Sequence, residues 1–298
     1  MNFLVKNKTG SACFENTNKY LENARYSDPF LKYSWFPNST NLFYLHLHEI
    51  ITTFSVYQFI STIVAPITCS VIFGKYYNGL YHKTIQLNFD LHMVSMFQCL
   101  ISFTCIIITW GIPVTDINPI AYTDQISSLV GALTMGYFLW DIVQGMTHIH
   151  TYEIEYILYA MGAFALTLIT FNPFVQPWIS TFLAYETSTP FTNINWFIIA
   201  LTKNYPNHNL IPNWINYLNA TLLVTVFVLT RLVWGPYQQF LLLQQLYQHK
   251  RDLPAFKTTL LIVIMTMMNG LNVYWFSKMV RIVRKLSRKQ LLFKLKKP

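Results

Sequence analysis

Charge is what this chain has least of. Only 11% of its 298 residues are Asp, Glu, Lys or Arg, against about 25% in a soluble domain. That is too little charge to coat a water-facing surface. Cysteine is also scarce, at four residues, and three of them (Cys69, Cys99 and Cys105) fall inside apolar runs. No zinc spacing and no disulfide framework is visible. No apolar core follows a basic start, so no cleavable signal peptide is expected. There is no internal repeat, no separate soluble domain and no pair of broken helices in matching halves, the usual sign of a transporter. Nucleic acid is not expected as a partner despite the net charge of +9. Nine of the 21 Lys/Arg lie between Lys278 and Lys297, after the last apolar run, where a basic tail meets an anionic leaflet.

What the chain has is apolar and aromatic surface: 53% hydrophobic residues, with eight Trp and nineteen Tyr, both favoured at membrane interfaces. A helix crossing the hydrocarbon needs roughly 20 apolar residues. That measure gives an all-α membrane protein with about seven spans. They run Glu49–Phe73, Phe89–Trp110, Ser127–Met146, Ile154–Phe171, a short Val175–Glu186 with Pro177 in its first turn, Tyr217–Trp234 and Thr258–Val280. Gly111-Pro113, Asn172-Pro173 and Gly235-Pro236 are read as stops. Trp196–Leu201 is too short to cross and is placed at the interface. The basic C-terminal tail (286–298) belongs in the cytosol, which puts the N-terminal tail (1–45) in the lumen and the helical domain at 46–285. The sequons at Asn7 and Asn38 fit that orientation, although the N-terminal tail carries five Lys/Arg of its own. Lys294-Leu295-Lys296-Lys297-Pro298 matches the cytosolic Lys-x-Lys-x-x retrieval pattern, so the endoplasmic reticulum membrane is the expected location.

An ionisable group in hydrocarbon costs roughly 2.5–3.5 kcal/mol and is a functional candidate. Four polar residues stand out: His92, Asp141, Tyr159 and Glu186. On the serpentine path His92 is about 5 Å and Asp141 about 8 Å from the cytosolic ends of their spans. Tyr159 is at a similar depth, and Glu186 is at the cytosolic interface. The ordinary readings are a snorkelling or turn-capping Glu186, a structural hydrogen bond for Asp141 and a helix-end donor for His92. Arg231 falls near the lumenal end of its span, where an interfacial anchor is usual. His46-x-His48 and His148-x-His150 look like metal pairs, but alternate helical residues point apart, so no metal site is expected.

Three stretches resemble the TLC-domain membrane proteins, a family that includes the ceramide synthases. The first is Gly136-Tyr137-Phe138-Leu139-Trp140-Asp141. The second, Glu186-Thr187-Ser188-Thr189-Pro190-Phe191-Thr192-Asn193-Ile194-Asn195-Trp196, is similar to a signature of the branch distinct from the ceramide synthases. The third is Phe171-Asn172-Pro173-Phe174 with Arg231, and His92 also resembles a residue of that branch. The resemblance covers about residues 47–285. It implies six helices in a barrel around a lipid cavity open to one leaflet, plus one extra helix. Tyr159 stands where relatives carry histidine, and no Asp or Glu follows Glu155 in that span, a departure from the ceramide synthases. A phenol with a reference pKa of about 10 is a poor base, so His92 oriented by Asp141 is the candidate catalytic pair. Tyr159, Glu186, Trp140, Asn193, Trp196 and Arg231 are the candidate cavity residues. The expectation is an endoplasmic-reticulum protein that binds or senses acyl-chain lipids and influences membrane lipid composition, with membrane lipids as partners and no cofactor. The alternative is a lipid acyltransferase using acyl-CoA. Whether the chain forms a homo-oligomer is left open.

Overall fold

The computed structural model describes residues 27–295 except 113, 116, 121, 151, 172, 207 and 209, and no side chain at Val283 or beyond Arg284. The Asn7 sequon and Lys296-Lys297-Pro298 of the retrieval pattern lie outside the described residues. So does Asn172 of the Asn172-Pro173 stop. Among the described residues all regular structure is helical.

Seven rods carry the fold. They are α1 (Leu47–Phe73), α2 (Lys83–Ile108), α3 (Gln125–Thr147), α4 (Ile154–Thr170), α5 (176–204), α6 (Asn213–Gln248) and α7 (Ala255–Leu295). Five of these are long and apolar enough to cross a membrane, over Ala255–Ile282 in the case of α7, and α4 is a shorter apolar helix. Six rods form a ring in the order α2, α5, α6, α7, α4, α3, and α1 packs outside it against α2 and α3. The close approach of α1 needs a glycine. A Cβ on Gly136 of α3 would sit 2.6 Å from Thr53 Cβ and 2.7 Å from the Ile50 carbonyl oxygen.

Contacts between loops define two ends of the ring. On the N-side, Val175 N–H donates to the Pro119 carbonyl, Gln245 reaches the carbonyls of Val114 and Ile117, and His46 meets the ring of Phe171. On the opposite C-side, Tyr205 Oη donates to the Tyr76 carbonyl, and Lys278 pairs with Glu153 and Glu155.

Three sequence expectations are corrected. The fifth span does not stop at Glu186. A 3-10 turn (Gln176–Trp178), an α turn (Ile179–Leu183), a second 3-10 segment (Ala184–Ser188) and an α-helix (Thr189–Asn204) follow one another without a break. Pro190 lies in the first turn of the last piece, where its missing N–H has no partner to lose. Trp196–Leu201 therefore belongs to a long rod inside the bundle. Its apolar run looked short because Thr192 and Asn193 face an internal space.

The sixth span does not stop at Gly235-Pro236 either; α6 continues to Gln248. The segment Val228–Trp234 is a π-helix, whose wider turn already releases the carbonyl that the proline N–H would have met. Arg231 is thus mid-rod, not at an end. Finally, α2 begins at Lys83, so His92 is about 14 Å along the rod at 1.5 Å per residue.

Candidate functional site

A cavity of about 420 Å³ opens inside the ring toward the C-side, lined from α2 through α7. The N-side half of α5 packs against α2 and α3 and closes the other end. Tyr137, Phe138, Trp140, Tyr156, Trp196, Phe227 and Trp275 supply aromatic wall, and Glu153 and Lys278 stand at the mouth. All eight residues selected from the sequence line this one space: His92, Trp140, Asp141, Tyr159, Glu186, Asn193, Trp196 and Arg231.

Their pairing differs from the expectation. His92 stacks on Trp196, with ring centroids 4.1 Å apart and 23° between planes. Its Nδ1 is 2.8 Å from Asn193 Oδ1, and Asn193 Nδ2 donates to Ser95 Oγ at 3.0 Å. With Asn193 Oδ1 facing the imidazole, Nδ1 carries the proton. The Nε2 lone pair is then left without a protein partner among the described residues. The His92–Asp141 pair does not form. Asp141 has no hydrogen-bond partner among the described residues, because His92 is engaged by α5 and Tyr159 by another carboxylate. Consecutive helices are neighbours here, but α2 meets α5 more closely than α3.

Tyr159 Oη donates to Glu186 Oε1 at 2.9 Å. Glu186 is buried, which its central position on α5 explains. Arg231, also buried, hydrogen-bonds to neutral groups only among the described residues. Its Nε donates to Ser188 Oγ at 2.9 Å and its Nη1 to Asn272 Oδ1 at 3.2 Å. The guanidinium sits over the rings of Tyr159, Phe227 and Trp275 at 5.3–5.5 Å. Its placement on a π-turn matches the frequent use of such turns at functional sites. Trp140 donates from Nε1 to Gln58 Oε1 at 3.1 Å, tying the cavity wall to α1.

Sequence reasoning missed Trp275 and Lys278. Trp275 sits on α7 with its Nε1–H buried and unpartnered among the described residues, 5.5 Å from the Tyr159 ring. A lone Trp in an apolar run carries no signal of its own. Lys278 reaches Glu153 at 2.6 Å and Glu155 at 2.8 Å. It was counted with the basic tail because it ends the last apolar run. Taken together, the space is lined by apolar and aromatic walls, a donor (Arg231) and acceptors (Asp141, His92 Nε2). That combination suits an amphipathic guest.

Comparison with known proteins agrees with this geometry. The TLC domain family matches residues 88–281, a stretch that holds nearly all of the six-helix ring and leaves α1 outside. The chain is 41% identical over 262 residues to "Topoisomerase I damage affected protein 4" of Saccharomyces cerevisiae, covering 88% of this chain and 93% of that one. It is 26% identical over 250 residues to an uncharacterized TLC domain-containing protein of Schizosaccharomyces pombe, covering 80% of this chain and 79% of the relative. A second such protein of Saccharomyces cerevisiae is 30% identical over 166 residues, 55% of this chain and 50% of its own length. No solved structure matches.

Proposed function

The chain belongs to the TLC-domain family, and from that premise we propose that this multi-pass membrane protein binds an acyl-chain lipid in the C-side cavity and thereby influences membrane lipid composition. One observation carries the reading. The ring encloses about 420 Å³ with aromatic walls and buried polar groups. That volume lies within the roughly 300–1,000 Å³ of ordinary ligand pockets. The walls would take hydrocarbon, while Arg231 and Asp141 would meet a polar headgroup. Thr192 lines the space next to Asn193, and Thr192→Trp puts a bulky ring into it. Mass spectrometry of purified wild-type protein is expected to find one lipid class enriched over other membrane proteins from the same detergent extract, with several-fold less in Thr192→Trp. No enrichment in the wild type would sink the reading.

The protein would reside in the endoplasmic reticulum, with the C-side facing the cytosol. The basic C-terminus and the Lys-x-Lys-x-x pattern support this placement. Glycosylation of a C-terminal tag would reverse the orientation. Unchanged distribution of the Lys294→Ala, Lys296→Ala double variant would remove the retrieval signal from the argument.

A second reading, lipid acyltransferase, rests on His92. Its Nδ1 proton is fixed by Asn193, which leaves Nε2 as a base aimed into a water-poor space. Turnover of acyl-CoA that is lost in His92→Ala would support it; no turnover by the wild type would exclude it.

A further inference from the structure

Far from the cavity, on the N-side, three buried side chains converge. His46 opens α1, Glu49 follows one turn later on the same face, and Asp28 arrives from the segment that precedes the bundle. Their side chains are 2%, 4% and 0% exposed. His46 Nδ1 is 2.8 Å from Glu49 Oε2 and 3.5 Å from Asp28 Oδ2. The candidate donor atoms of the three residues all lie within 4.8 Å of one another. Two further facts point to a missing partner. Asp28 Oδ2 and Glu49 Oε1 are both buried without a hydrogen bond among the described residues. The second is that His48, whose Nε2 is 3.4 Å from Glu49 Oε1, also keeps a buried Nδ1 without a hydrogen bond among the described residues, so two carboxylates and two imidazoles hold more buried polar atoms than they can pair.

We propose that Asp28, His46 and Glu49 bind a divalent transition-metal ion of the zinc class. Zn–N and Zn–O bonds of about 2.0–2.2 Å place the donors of a tetrahedral site about 3.3 Å apart, between the two separations seen here. One nitrogen and two carboxylates suit zinc better than calcium or magnesium, which take six or more ligands that are mostly oxygen. The surroundings hold the donors in place. Phe30 N–H donates to Asp28 Oδ1 at 2.8 Å, Asp28 N–H donates to Gln125 Oε1 at 3.1 Å, and His48 Nε2 lies 3.0 Å from the Phe30 carbonyl and 3.4 Å from Glu49 Oε1. The ion would pin the segment around Asp28 to the start of α1 and, through Gln125, to α3.

The test uses full-length protein in detergent, stripped with a chelator, loaded with Zn²⁺ and dialysed against metal-free buffer. Metal analysis is expected to find one zinc per chain in the wild type and only background in Glu49→Gln and in Asp28→Asn. The second variant keeps the Oδ1 contact to Phe30 and so guards against misfolding of the first. His150→Ala, on the C-side, is expected to retain the ion. The thermal midpoint should rise with added Zn²⁺ in the wild type and in His150→Ala only. Wild type without zinc, or zinc retained in both carboxylate variants, would overturn the proposal and leave a network held together by a shared proton.

Discussion

The two ends of the ring use the same residue types to opposite effect. On the N-side the Trp178 indole donates to Gln245 Oε1 at 2.9 Å; toward the C-side the Trp275 indole has no partner among the described residues. Asp124 caps α3 on the N-side by accepting through Oδ1 from Ser127 N–H at 2.7 Å; Asp141, near the other end of the same rod, has no hydrogen-bond partner among the described residues. Gln176 links Asp124 N–H and Ser128 Oγ at 3.0 and 2.7 Å, whereas His92 keeps one ring nitrogen free. One end is sealed by polar side chains that bind loop backbone to helix ends. The other leaves the same chemistry facing a space. In a membrane, where unpaired polar groups find no solvent, those that line a space are met by a guest or by water.

The comparison breaks most severely at Gln245. Its Nε2 donates to the carbonyls of Val114 and Ile117 at 2.8 Å each and to that of Thr115 at 3.3 Å, and its Oε1 holds Trp178. Gln245→Leu strands a buried indole donor and several loop carbonyls. At about 1–3 kcal/mol per buried unsatisfied group, the expected loss is about 3 kcal/mol, read as a lower thermal midpoint in detergent. Lipid content per folded molecule should not change, because the cavity lies at the other end. A variant as stable as wild type would show that the N-side seal does not hold the ring together.

Much of this was legible in the sequence, and the failures share a cause. Seven apolar runs gave the rods because hydropathy over about 20 residues is a strong signal. Proline was the misleading sign. Pro190 and Pro236 each sit in a first helical turn inside a continuing rod, after 3-10 and π segments that the residue pattern does not announce. The same error moved Glu186 and Arg231 to span ends, when both are mid-rod and buried. Cavity membership could be read from polar residues in apolar runs, but partner choice could not. Whether His92 meets Asp141 or Asn193 depends on which helices adjoin, and chain order alone favours the wrong neighbour. The Asp28–His46–Glu49 cluster was missed for a related reason. Alternate helical positions point apart, but His46 precedes the helix and both His46 and His48 reach the Glu49 carboxylate, a cluster completed by a residue 18 positions upstream of His46.

A smaller effect is expected at the cavity wall. Tyr159→Phe removes the hydroxyl that donates to Glu186 Oε1 and leaves a buried carboxylate short of one donor. Hydrogen bonds to charged groups contribute about 1.5–3 kcal/mol, so a loss of about 1.5 kcal/mol is expected. Glu186→Gln should weaken the pair as well, and the double variant should cost less than the sum of the two. Strict additivity would mean that the Tyr159–Glu186 contact contributes nothing.

The smallest effect, and the one that sharpens the comparison most, is expected at Asp141. Its carboxylate lines the cavity without a protein partner among the described residues, so Asp141→Asn breaks no hydrogen bond within the protein. Stability should stay within about 0.5 kcal/mol of wild type, the range of substitutions that disturb no specific interaction. Asp141→Leu should insert equally well, because it makes the α3 run more apolar. Lipid content is where the two variants should separate from wild type and from each other. If the carboxylate meets a headgroup through its charge, both lose bound lipid. If it serves only as a hydrogen-bond acceptor, the amide oxygen of Asn substitutes for it and only Leu loses lipid. Mass spectrometry of the three proteins, normalised to folded protein, reads this directly. A thermal midpoint that falls in Asp141→Asn as far as in Tyr159→Phe would contradict the contrast between the two ends. It would mean that Asp141 carries a structural bond and that the C-side is sealed as the N-side is.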